Sequence, residues 1–278
     1  MDFLVIGAGR GGTSLLMSLL DAHPQLELGY ESHAIDCLMG LGLHVAADSI
    51  KPMLAEARAR EFLRRCREDA ARFPGKRWGN KITTEQLQGL DDHNQVNAPI
   101  DTLDIFFRKV LTFETPVVFI LRDGRACVKS KVKRTGQPPE LAAVRWKYSI
   151  AVKDYLVEHH PNALVVKFED LVARPEAVLS DLCDFLGVDF DPVMLSGTDN
   201  KKVRPEYRTD RIRKDRAATR DVPRAVLPLI ARPLLETGYI GPWTFRLYQL
   251  YGRPRLLLLI ITLLATALAA GLGVVAAS

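Results

Sequence analysis

The stretch Phe3-Leu4-Val5-Ile6-Gly7-Ala8-Gly9-Arg10-Gly11-Gly12-Thr13-Ser14-Leu15-Leu16, running on to His23-Pro24, decides how the rest of this sequence is read. An apolar run of strand length meets a glycine-rich turn. Leu15, Leu16, Leu19 and Leu20 then recur at helical spacing. Strand, turn and helix in that order bring backbone N–H groups and the positive end of a helix dipole to one point, which is a binding device for an anion.

Three readings of the loop compete. Gly7-x-Gly9-x-x-Gly12 fits a dinucleotide fingerprint, with Glu31 about 20 residues on, where such a fold places its ribose-binding acid. Gly7-x-x-x-x-Gly12-Thr13-Ser14 fits a nucleoside-triphosphate loop whose lysine is replaced by Thr13, so the contact to the β and γ phosphates is lost. Arg10-Gly11-Gly12-Thr13-Ser14 is the third, with Arg10 adding a cation at the mouth of the loop.

Working outward, Leu26 to Gly29 reads as a second strand that delivers Glu31, Ser32 and His33 to its C-terminal end, the end that faces the ligand crevice in a parallel sheet. Residues 48–73 read as a charged helix with Ala55, Ala59, Phe62, Cys66 and Ala70 on its buried face. Arg77 to Thr83 is strand-like, and Ile105 to Leu111 helical. Pro116 to Leu121 is a strand buried on both faces that runs into Arg122-Asp123-Gly124-Arg125 and a basic helix. A helix over 140–159 carries Leu141, Val144, Tyr148, Val152 and Tyr155 inward. Ala163 to Lys167 is a third buried strand, and Pro175 to Leu186 an amphipathic helix closed by Gly187. Strands alternating with helices predict an α/β, P-loop-like three-layer fold around a central parallel sheet, within a domain over 1–245.

The net charge of +5 over 278 residues suits a polyanionic small molecule or a membrane surface. No aromatic-studded basic stripe argues for nucleic acid. Cys37, Cys66, Cys127 and Cys183 lack zinc or disulfide spacing, and the histidines lack metal-ligand spacing; His159-His160 reads as solvated surface. The first apolar run ends in glycines and is a core strand rather than a secretory leader. Residues 201–224 are dense in charge and read as a solvated segment or as a basic lid over an anionic ligand. From Leu256 to Ser278 no charge appears. Roughly 22 residues of helix over 256–277 span ~33 Å, enough for a bilayer core. Arg246, Arg253, Arg255, Tyr248 and Tyr251 flank that helix as a basic, aromatic linker over 246–255. The expectation is a single-pass, C-terminally anchored protein with a cytosolic catalytic domain.

Arg10-Gly11-Gly12-Thr13-Ser14 with His23-Pro24 resembles the 5′-phosphosulfate loop of the sulfotransferases, R-S-G-T-[TS] followed by a helix ending in H-P. Arg122-Asp123-Gly124-Arg125 with Ser130 is similar to that family's 3′-phosphate motif, R-D-P-R-D-x-x-x-S, with Gly124 in place of the proline and Ala126 in place of the second aspartate. Val166 to Val172, Pro175 and Cys183 to Gly187 resemble a third block that packs the core. The likeness is nearest to the bacterial, carbohydrate and tyrosylprotein branch.

The resemblance implies 3′-phosphoadenylyl sulfate (PAPS) as co-substrate, no metal, and a hydroxyl acceptor on a carbohydrate or lipid. It implies that Arg10, Gly11, Gly12, Thr13 and Ser14 hold the 5′-phosphosulfate while Arg122 and Ser130 clamp the 3′-phosphate. Glu31 is the expected base, with His33 as the other candidate. Lys81, in Trp78-Gly79-Asn80-Lys81, is expected at the bridging oxygen of the leaving group, and Arg125 adds field or pairs with Glu169 or Asp170. A dinucleotide-binding oxidoreductase and an inactive membrane-tethered scaffold of the same fold are the alternatives.

Overall fold

A computed structural model of the chain describes residues 1–40, 55–92, 100–205 and 219–253, with Arg208, Ile212 and Thr262. The chain divides into two compact units, Met1–Arg122 with Arg145–Ala218, and Asp123–Val144 with Thr219–Ser278.

The first unit is built on a five-stranded sheet: β1 Phe3–Gly7, β2 Leu26–Tyr30, β3 Arg77–Lys81, β4 Val117–Leu121 and β5 Ala163–Lys167. Their order is β2-β3-β1-β4-β5, and every neighbouring pair is parallel. Parallel neighbours require crossovers, so all five strands end on the same edge of the sheet. β1 and β4 are central and wholly buried, as their unbroken apolar runs require. β5, expected as a buried strand, is instead an edge strand with only Val166 fully buried.

Alternate side chains of the strands point to opposite faces. Phe3, Val5, Leu26, Leu28, Val118, Ile120 and Val166 join one core with helices α1 (Thr13–Asp21) and α7 (Pro175–Leu186). Helix α2 (Ala55–Ala70) packs on β3, and it contacts a π-helical segment over Asp104–Leu111 where the sequence predicts an α-helix. Phe62, Phe106, Phe107 and Tyr155 form a chain of ring contacts there. Ala55, Ala59, Phe62 and Cys66 are buried as expected, and so is Arg58, which donates to the carbonyls of Gly89 and Leu90 at 3.3 and 2.8 Å. A guanidinium there caps the end of α3 (Thr84–Asp92), whose last carbonyls have no helical partner. Residues 48–54 of the expected helix lie outside the described residues.

Helix α5 (Pro139–His159) departs from the expected face in its first turns, while Val152 of that face is buried. Leu141 and Val144 are 41% and 50% exposed, while Ala142, Ala143, Trp146, Ile150, Val152 and Leu156 are buried. His160, expected at the surface, is buried edge-on against Phe107 and Phe113, and burial lowers its pKa below the usual histidine value. The short helix α6 (Phe168–Ala173) leads into α7, which ends at Gly187 with φ 67°, a left-handed cap suited to glycine. Residues 201–205 open the basic segment with an anchor: Val203 is buried, and Lys202 donates to Asp21 at 2.8 Å and to Glu27. The expected lid otherwise falls largely outside the described residues.

The second unit holds α4 (Gly124–Thr135), α8 (Leu227–Glu236) and α9 (Pro242–Tyr251). The membrane-spanning helix expected over 256–277 is corrected here. No helix among the described residues is long and apolar enough to cross a membrane, and residues 254–261 and 263–278 lie outside them. The last described helix, α9, has 10 residues and stops at Gly252; its rise of about 15 Å is half of a ~30 Å hydrocarbon core. The C-terminally anchored protein with a cytosolic catalytic domain is overturned on the same finding.

Candidate active site

The loop after β1 closes on itself first. The Gly11 amide donates to the Ala8 carbonyl at 2.7 Å, and Arg10 sits in the left-handed region at φ 72°. Gly12 follows with φ 99° as the N-cap of α1, and no side chain caps that helix start. A side chain at Gly12 would be strained in its backbone and would collide with the Phe168 ring. Among the expected anion donors, Gly11 is thus engaged in shaping the turn. The first-turn amides of Thr13 and Ser14 have no helical acceptor by geometry and lie at the positive end of α1. Thr13 is buried, and the Ser14 hydroxyl lies 3.4 Å from the Tyr30 hydroxyl.

The ends of β2 and β3 bring Glu31 and Lys81 together across 50 residues of sequence. Tyr30 pairs with Lys81 in register, and the Glu31 amide donates to the Lys81 carbonyl at 2.8 Å. Lys81 is 1% exposed rather than a solvated strand end. Its Nζ donates to Glu31 Oε1 at 2.5 Å and lies 4.1 Å from the centroid of the Tyr30 ring. Burial lowers the Lys81 pKa below the usual lysine value, against the opposing attraction of Glu31 and Glu85.

The second oxygen of Glu31 is held as well. Gln86 Nε2 donates to Glu31 Oε2 at 2.9 Å, while the Thr83 amide donates to Gln86 Oε1 at 2.8 Å and so orients the Gln86 amide group. The residue before it, Glu85, accepts from the Gly9 amide at 2.8 Å. Both come from the first turn of α3, and neither is singled out by any sequence motif. Glu31 itself has φ 56° and His33 φ 60°, unusual for residues other than glycine. Asn80 straps this turn, donating to the Ser32 carbonyl at 2.9 Å and accepting from the Ser32 amide at 3.2 Å.

The structure separates the two candidate bases. His33 Nε2 is 2.8 Å from Asp69 Oδ2 on α2, whereas Glu31 holds the lysine. Arg122, one residue beyond β4, donates to the Arg10 carbonyl at 3.0 Å and stacks 4.2 Å from the Phe168 ring centroid. Its own carbonyl accepts from Trp146 Nε1 at 3.1 Å. The two cationic motifs expected at opposite ends of one ligand therefore touch through Arg10 and Arg122.

Ser130 lies on α4 in the second unit. Arg125, in the same unit, pairs with Asp123 at 2.6 Å rather than with Glu169 or Asp170, and also donates to the Tyr248 hydroxyl and the Tyr239 carbonyl. Asp123 is the N-cap of α4, accepting from the Arg125 amide, so one carboxylate both starts the helix and holds the guanidinium. Among the described residues no group of three or more His, Cys, Asp or Glu side chains could hold a metal.

Comparison with known proteins adds four likenesses. Residues 114–192 match the profile described as the sulfotransferase family. Protein-tyrosine sulfotransferase 1 of Danio rerio is 26% identical over 203 residues, covering 68% of this chain and 54% of that protein. Protein-tyrosine sulfotransferase A of Caenorhabditis elegans is 24% identical over 204 residues, with 68% and 50% covered. The chain thus spans about half the length of the curated relatives it matches. The sulfotransferase domain of the Synechococcus PCC 7002 olefin synthase shares the fold, with a TM-score of 0.54 at 20% identity over 86% of this chain and 94% of that one.

Proposed function

The chain belongs to the sulfotransferase family, and from that premise we propose that it moves a sulfuryl group from PAPS to a hydroxyl. One observation carries the reading. A buried lysine and a carboxylate meet at 2.5 Å at the ends of neighbouring parallel strands, in the sheet whose central strand leads into the phosphate loop. On this reading the first-turn amides of Thr13 and Ser14, their hydroxyls and Arg10 hold the 5′-phosphosulfate. Arg122 supplies a planar, permanently charged donor for a phosphate.

Sulfuryl transfer needs in-line positioning, neutralisation of charge on the leaving oxygen, and removal of the acceptor proton. Lys81 supplies the neutralising cation, and Glu31 takes the proton. With one oxygen fixed by Lys81 and the other by Gln86, Glu31 is positioned before an acceptor arrives. His33, tied to Asp69, has no part in this route. The dinucleotide-binding alternative places Glu31 on a ribose hydroxyl and gives the buried lysine paired with it no part in the chemistry.

The relatives' names make a tyrosine hydroxyl in protein the first acceptor to test, and a phenol with a pKa of about 10 asks little of a carboxylate base. The carbohydrate or lipid hydroxyl expected from sequence is the second. The experiment has two arms. Calorimetry of the full chain with adenosine 3′,5′-bisphosphate should show binding that Arg122→Ala weakens; no binding ends the reading. Incubation with labelled donor and a tyrosine-containing peptide, glycan or lipid extract, followed by mass spectrometry, then identifies the acceptor by its sulfate-sized mass gain. A chain that binds the nucleotide yet modifies none of the three is the inactive scaffold.

A further inference from the structure

We propose that Glu85 is a tethered competitor for the phosphate loop, a carboxylate that any incoming phosphosulfate must displace or tolerate at close range. The inference rests on the reading of that loop as the donor's 5′ site. Its basis is the 2.8 Å bond from the Gly9 amide to Glu85 Oε2, a charge-assisted contact between residues 76 positions apart in the chain. Gly9 lies within the turn that precedes the uncapped start of α1. A carboxylate there occupies a donor of the kind such turns offer to anions, and it brings negative charge to the place where a dianionic end is to be seated.

The neighbouring contacts let Glu85 move without dismantling α3. Gln86 is buried, with its Oε1 bonded to the Thr83 amide and its Nε2 bonded to Glu31, so the first turn of the helix is pinned independently of Glu85. Glu85 is only partly buried, and Lys81 already lies in its field, so a rotated carboxylate remains near a cation. The functional consequence is selectivity by charge. A ligand that gains only the loop contacts competes poorly with the tethered carboxylate, whereas one that also reaches Arg122 offsets the exchange.

The test is titration calorimetry of the full chain with adenosine 3′,5′-bisphosphate for the parent protein, Glu85→Gln, Glu85→Ala and Arg122→Ala. Removing the carboxylate should tighten binding about tenfold, the equivalent of about 1.4 kcal/mol. The gain should be smaller in Glu85→Gln, whose amide oxygen still accepts from Gly9. Thermal melts check that Glu85→Ala folds, and the near-isosteric Glu85→Gln keeps the test open if it does not. Unchanged or weaker binding in the folded variants, with Arg122→Ala weaker than the parent, overturns the competitor role alone and assigns Glu85 to holding the loop in shape. Loss of binding in all four proteins overturns the donor reading, and the competitor role with it.

Discussion

The two halves of the site handle charge in opposite ways. At the ends of β2 and β3 a buried lysine and a partly buried carboxylate neutralise each other, and a neutral amide completes the set. Around β1 and β4 the guanidinium of Arg122 is held by a carbonyl and a ring face. A buried charge must be paired and hydrogen-bonded, whereas an arginine stacked on a ring is fixed in direction and offers the planar geometry that matches a phosphate. The first arrangement suits chemistry on a proton and a leaving oxygen, and the second suits grip. If so, the halves should separate cleanly into turnover and affinity.

The largest effect should come from the acid–base half. Glu31→Gln should lower single-turnover sulfuryl transfer by ~10²–10⁴ while calorimetry shows bisphosphate binding retained; an equal loss of both would erase the distinction. Next, Arg122→Ala should weaken nucleotide binding by about 1.5–3 kcal/mol, the range for hydrogen bonds to charged groups, with a smaller change in the rate at saturating donor. The pH profile sharpens the same contrast. On the proposed route Lys81 must carry its proton to neutralise the leaving oxygen, and burial lowers its pKa. Activity should therefore fall as pH rises through a value below the ordinary lysine range, and Lys81→Arg, which stays charged, should lose that alkaline limb even if its rate is lower.

Two controls lie outside both halves. Burial lowers the His160 pKa, so the unfolded chain takes up its proton first as pH falls below about 6.5. Stability from this group is present above that value and declines toward the lower folded pKa. Thermal melts between pH 7.5 and 5 should show an extra loss in the parent that is absent from His160→Leu. Smallest of all, Lys202→Ala removes a partly exposed pair with Asp21 and Glu27 and should cost about 1 kcal/mol or less, with nucleotide binding unmoved.

Much of the fold was legible because strands buried on both faces are written as unbroken apolar runs, as in Phe3–Gly7 and Val117–Leu121. Gly187 marks a helix end for a reason internal to the backbone. Burial decided by neighbours was less legible. Ala142 and Ala143 are buried while Leu141 and Val144 are exposed, against the order of their hydrophobicity. His160 looks polar in sequence and is enclosed by rings. Glu31 was expected from its place after the second strand and Lys81 from the Trp78-Gly79-Asn80-Lys81 element, whereas their meeting depends on parallel pairing across 50 residues, which no local pattern encodes. Glu85 and Gln86 look like ordinary first-turn residues of a helix. Asp123, two residues from Arg125, could have been read as its partner from the helix-start signal alone. The apolar tail over 256–277 lies, Thr262 apart, outside the described residues, and no helix among those described is long and apolar enough to cross a membrane.

The Phe168 ring faces both Gly12 and the guanidinium of Arg122. One side chain therefore acts as a gauge block between the loop and the arginine, setting the gap that the proposed nucleotide would have to fit. A larger ring there would be expected to spread that gap and a smaller aliphatic group to let it collapse, so the choice among phosphorylated adenosines becomes adjustable at a position that contributes no charge of its own.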